Sequence, residues 1–173
     1  MKRLASLIVL AAALSASGLA QNPAPPGGPE FFRLDFNLKE TDGGKVVNTR
    51  AYQMMVRAED PGTSSIRSGG RVPVAGDKGF TYVDVGVNLD VKRLVPSRSS
   101  RDEATMDIVA EVSGTLELGE PKASPAALPP TVRQTRFNST VLVPLRKPTV
   151  LFSSEDPTTR RQLQLEVTAT PIR

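Results

Sequence analysis

The side chains best placed to do chemistry in this 173-residue chain are carboxylates on a stretch that reads as a β-strand. Phe80 to Val91 runs Phe-Thr-Tyr-Val-Asp-Val-Gly-Val-Asn-Leu-Asp-Val. From Tyr82 onward polar and apolar residues alternate. Asp84, Asn88 and Asp90 therefore share one face, and Val83, Val85, Val87, Leu89 and Val91 the other. Two carboxylates can divide general-acid and general-base work, but a glycosidase pair needs them roughly 5–9.5 Å apart. Asp84 and Asp90 are six positions apart, about 20 Å at ~3.3 Å per residue. Asp84 with Asn88, and Asp107 with Glu111, are closer, yet nothing near them would tune a base. Asp84, Asn88 and Asp90 offer the hard oxygens that calcium takes. A regular strand spreads them, whereas calcium sites gather ligands on a loop.

Other chemistry is excluded by composition. The chain has no His, Cys or Trp. That removes the commonest general base and metal ligand, every thiolate nucleophile and every disulfide. A Ser-His triad is impossible, and no Gly-x-Ser-x-Gly elbow occurs. Gly69-Gly70 lacks the Gly-Lys-Ser/Thr of a phosphate loop and reads as a tight turn or bulge between two short strands. Asn138-Ser139-Thr140 fits a glycosylation acceptor but is given little weight. Met54-Met55 reads as core filler. The chain is therefore read as non-enzymatic, with no catalytic, cofactor-binding or metal-binding residue assigned and no cofactor expected.

The elements around these residues read as an exported all-β domain. Lys2 and Arg3 precede the apolar run Leu4 to Leu14, and Gly18-Leu19-Ala20 supplies a cleavage site. Residues 1–20 are expected to be a cleaved signal peptide of the general secretory route. The apolar run is too short to span ~30 Å of bilayer hydrocarbon. Residues 21–30, Gln-Asn-Pro-Ala-Pro-Pro-Gly-Gly-Pro-Glu, form a Pro/Gly linker. Residues 31–173 form one domain large enough for a real core. The formal charge is +4, from 22 Lys and Arg against 18 Asp and Glu. With no basic block and few aromatic side chains, nucleic acid is not an expected partner.

Phe31 to Lys39 alternates, with Phe32, Leu34, Phe36 and Leu38 inward. Thr41-Asp42-Gly43-Gly44 turns the chain. Lys45 to Ala58 returns with imperfect alternation, which predicts a bulge or second buried face near Met54-Met55. Ser64 to Val74 is a short extended run whose Pro73 belongs on an edge or at a strand start. Pro96 to Arg101 is a basic loop. Ala104 to Leu118 alternates again, with Val109 as the exception, and Gly119 to Pro130 is a proline-rich loop. Thr131 to Leu145 is a long extended run, followed by Thr149 to Phe152, a polar loop from Ser153 to Arg161, and Gln162 to Thr170. The fold class is all-β: a single domain of seven to nine mostly antiparallel strands, as a sandwich of two sheets or one strongly curled sheet.

The order of these segments resembles the secretin domain, the outer-membrane pore domain of type II and type III secretion systems and type IV pili. The residues that carry the resemblance are Gly70-Arg71-Val72-Pro73-Val74 and Tyr82-Val83-Asp84-Val85-Gly86-Val87-Asn88-Leu89. The alternating Met106 to Val112 comes next. Then follow Pro130-Thr131-Val132-Arg133-Gln134, Ser139-Thr140-Val141-Leu142-Val143, and Pro148-Thr149-Val150-Leu151-Phe152. Ser153-Ser154 stand where the family has Gly-Gly, and the chain is expected to lack the family's periplasmic ring-building domains. The resemblance implies a secretin-like structural or assembly component of the cell envelope, in the periplasm or at the outer membrane. It implies self-association and partners among envelope or secretion-system proteins; channel activity is not carried over. The other function open to the residues is a soluble periplasmic or secreted β-sandwich binding module with no pore role.

Overall fold

The computed structural model describes residues 30–76, 79–116, 131–156 and 161–172. The expected signal peptide, the linker before Glu30 and the Gly119 to Pro130 loop lie outside them. Eight strands follow one another: β1 (Phe31–Asp42), β2 (Lys45–Arg57), β3 (Ser64–Gly76), β4 (Gly79–Pro96), β5 (Glu103–Leu116), β6 (Thr131–Pro144), β7 (Pro148–Glu155) and β8 (Arg161–Ile172). There is no helix among the described residues. The strands form two four-stranded antiparallel sheets, ordered β2-β1-β8-β7 and β3-β4-β5-β6. Every paired neighbour is consecutive in the chain except β1 and β8. The topology is thus an up-and-down meander closed by its first and last strands and parted at two corners.

The apolar rows meet between the sheets. Phe32, Leu34, Phe36 and Leu38 of β1 and Leu165, Val167 and Ala169 of β8 are at most 1% exposed. They form one core with Val87, Leu89, Val91 and Leu94 of β4 and Ala104, Met106, Ile108 and Ala110 of β5. Strict alternation places each row on one face. The corners are stitched by backbone hydrogen bonds, Glu59 N to Leu94 O at 2.8 Å and Arg146 N to Ala169 O at 2.8 Å. Gly43 and Gly44, with φ of 55° and 82°, make the β1–β2 turn. Positive φ at both central residues is what a type I′ hairpin needs, so the glycines expected there are required by the backbone.

The structure corrects three expectations. The irregularity of β2 is not at Met54-Met55, where Met54 is buried and Met55 exposed in ordinary alternation. It is at Val47, left unpaired where the register passes from Glu40–Asn48 to Thr41–Val46. Gly69-Gly70 do not separate two short strands, because β3 runs through them without a break. Ser153-Ser154 do not begin the polar loop but continue β7 as far as Glu155. Two further bulges lie in β4 and β7. Lys92 is the extra residue of β4, which lets Lys92 and Arg93 both face out and returns Leu94 to the core. Leu151 is the extra residue of β7 and is 8% exposed.

Leu34→Ala should destabilise the domain by about 2–5 kcal/mol, because it empties a fully buried site between two paired strands. Met55→Ala should stay within ~0.5 kcal/mol of the parent, because its side chain faces solvent. Chemical denaturation of the two variants checks the pair.

Candidate assembly surface

The carboxylates singled out by spacing all lie on the outer face of the second sheet, where each has a hydrogen-bonding partner. Asp84 accepts from Arg71 Nε at 2.9 Å. Asp90 accepts from Ser65 Oγ at 2.6 Å and Arg67 at 2.7 Å. Asn88 donates to Glu111 at 3.3 Å. Asp107 accepts from Thr140 Oγ1 at 2.6 Å and Arg93 Nε at 3.2 Å. These are cross-strand pairs on a solvated face. Asp84, Asn88 and Asp90 stay strung along β4, and among the described residues no three Asp or Glu converge on a possible metal position.

Two of these groups titrate abnormally. Burial disfavours the Asp90 carboxylate, but hydrogen bonds from Ser65 and Arg67 and the charges of Arg67 and Lys92 outweigh it. Its carboxyl lies below the ordinary 3.8. The hydroxyl of Thr140 is the main cause at Asp107. With Arg93 and Lys92 it overrides a desolvation cost and also holds that carboxyl below 3.8. A depressed carboxyl stabilises the fold above its unfolded value, and that contribution is lost as pH falls through the folded value.

A cleft of about 310 Å³ opens at the end of the sandwich where β1 and β2 turn. Its lips are ion pairs, Arg50 with Glu40 at 2.6 Å and Arg133 with Asp156.

More informative is the point where the second sheet splits. Gly86–Ser113 is the last rung between β4 and β5. Beyond it, residues 79–85 pair with β3 alone, as a ribbon with Phe80 72% and Tyr82 62% exposed. Val83 and Val85, expected to share the buried row of Val87, Leu89 and Val91, lie on this ribbon and are only half-buried. The split is built on glycine. Gly69 and Gly86 face each other across β3 and β4. A Cβ on Gly69 would lie 2.1 Å from Val85 O, and one on Gly86 would lie 2.1 Å from Ser68 O. Gly86 has φ of 150°, and Ser113 Oγ takes its N–H at 3.0 Å. Beside the pinch lies a depression of about 260 Å³ on the outer face, lined by the two glycines and by Arg67, Arg71, Asp84 and Ser113. Neither Ser113 nor this pinch had a signal in the spacing of the sequence.

The strand edges differ in a way that bears on assembly. In the first sheet, β7 is only 8 residues long and bulged, and β2 is bulged at Val47. Short or bulged edges resist pairing with another chain. In the second sheet the edge strands β3 and β6 have 13 and 14 residues, with no bulge in their ladders to β4 and β5. Pro73 lies on β3, in agreement with the expected edge position. Arg136 is exposed on the outer face of β6 and opposite Glu111, and Asn138 is exposed beside it.

Gly69→Ala and Gly86→Ala should each cost more than 2 kcal/mol, since a methyl group would overlap backbone. Gly70→Ala meets open space and should be neutral within about 1 kcal/mol. Urea midpoints of the three variants decide this. Asp107→Asn should flatten the fall of unfolding free energy between pH 5 and pH 2, as measured by denaturation at each pH.

No family model matches the chain, and no curated protein matches it. Solved structures do. The chain is similar to the Klebsiella pneumoniae type II secretion system outer membrane complex of PulD, PulS and PulC HR domain. Identity is 13%, 83% of this chain and 38% of that one are covered, and the TM-score is 0.49. Against Aeromonas hydrophila ExeD the identity is 14%, with coverage of 83% and 46% and a TM-score of 0.48. Against InvG, the secretin of the Salmonella SPI-1 type III secretion injectisome, it is 12%, with coverage of 83% and 63% and a TM-score of 0.47. The chain spans less than half the length of the first two. It is similar to secretin domains of type II and type III secretion systems.

Proposed function

We propose that the chain is a non-enzymatic, secretin-like structural component of the cell envelope that assembles edge to edge through its second sheet. It is exported by the leader ending at Ala20 and works in the periplasm or at the outer membrane. Its partners are further copies of itself and envelope or secretion-system proteins. The order of motifs from Gly70 to Phe152 supports this reading.

The observation that carries it is the pair of long edges without bulges, of which β3 carries one proline, Pro73. β3 and β6 are the outer strands of a four-stranded antiparallel meander, so they run in opposite directions. A second copy placed beside β6 presents its own β3 in the orientation that continues the antiparallel ladder. Such head-to-tail contacts use two different patches and generate rings when the rotation closes. The backbone N–H and C=O groups along the outer sides of β3 and β6 are the ones such a contact would pair.

The test is the mass of the exported chain, Gln21 to Arg173, by light scattering after size exclusion, with and without detergent. The expected result is a discrete multi-copy particle. A monomer at every concentration in both conditions would contradict the assembly reading and leave a soluble β-sandwich binding module.

A further inference from the structure

The register of the second sheet restricts how two copies can join, and this inference rests on the assembly reading above. Three rows cross the outer face: Ser65–Asp90–Val109–Asn138, Arg67–Asn88–Glu111–Arg136 and Gly69–Gly86–Ser113–Gln134. If a second copy continued these rows without a shift, Arg136 of β6 would face Arg67 of the incoming β3. Like charges directly opposite on a sheet repel. A shift must be by an even number of residues, because an odd one would turn the inner face outward. An unsheared ladder also cannot close into a barrel.

A shift of two residues in one direction brings Arg136 opposite Gly69. The cations of β3 then face neutral partners, Arg67 against Asn138 and Arg71 against Gln134, while Ser65 faces Thr140. Arg136 comes to lie over the depression lined by Gly69 and Gly86. Asp84 stands on the wall of that depression with its side chain 80% exposed, and only its Oδ1 is taken, by Arg71. Arg136 makes no ion pair with a described residue of its own chain. The opposite shift would set it against Ser65 and Asp90, whose side chain is 23% exposed and already holds Ser65 and Arg67.

We propose that Arg136 of one copy seats in the glycine-floored depression of the next and pairs with Asp84. This contact fixes a two-residue stagger between neighbouring copies. Arg136 and Asp84 determine register and specificity; the backbone edges supply the pairing.

Light scattering on the exported chain over a concentration series, combined with disulfide trapping, tests this. Arg136→Ala and Asp84→Asn should each shift the assembly midpoint to higher concentration by about fivefold. Because the chain has no native cysteine, trapped pairs are unambiguous. Ser65→Cys with Thr140→Cys should crosslink neighbouring copies on oxidation, and Ser65→Cys with Asn138→Cys should not. An oligomer that Arg136→Ala leaves unchanged, or that crosslinks through position 138, would overturn the docking while leaving edge assembly intact. A wild-type monomer at every concentration would overturn both.

Discussion

The pairing of β1 with β8 is the constraint on which the rest of the structure depends. All other ladders join strands that are neighbours in the chain. This one joins Phe31 to Ile172 and Asp42 to Arg161, and it turns an open meander into a closed body. β1 is suited to the task because it is paired on both sides and points four large apolar side chains into the core. At roughly 25 cal/mol per Å² of apolar surface, such a row is a leading source of stability in a chain that has no disulfide. Loop closure across the whole domain is entropically costly, and only a continuous buried row can offset it.

Closure also decides which edges are left. With the first and last strands, β1 and β8, side by side in the middle of the first sheet, its outer strands are β2 and β7, and both are interrupted by bulges. The second sheet is built from the middle of the chain and keeps two long, regular outer strands. Its outer face carries cross-strand charge pairs, with Phe80, Tyr82 and Leu142 exposed on the same face. The same sheet carries the Gly69–Gly86 pinch, where β4 leaves β5 and a polar depression opens beside the free edge of β3. Edge, depression and the arginine on the opposite edge follow from a single register.

Much of this was legible in the residues. The alternation of Phe32 to Leu38, Val87 to Val91, Ala104 to Val112 and Leu163 to Ala169 states which side of each strand is buried, and the structure agrees. Gly43-Gly44 announced its turn through the φ values it had to adopt. What stayed hidden were features set by a partner strand. The bulge at Val47 depends on where β1 ends its ladder, and Met54-Met55 looked irregular only because two apolar residues adjoin. Gly69 and Gly86 are 17 positions apart, and only the β3–β4 register shows that each is glycine because of the other. Val83 and Val85 continue a pattern that is buried further along, but β5 does not reach them. The carboxylates were correctly read as a solvated face, though their arginine, serine and threonine partners needed the sheet order.

The most direct measurement of the central claim is hydrogen exchange of backbone amides in the chain below and above its assembly concentration. The amides of β3 and β6 that point away from β4 and β5 should exchange freely in the dilute chain and become protected on assembly, while those on the outer sides of β2 and β7 remain unchanged. Protection that appears at β2 and β7 instead, or at no edge at all, would contradict the account.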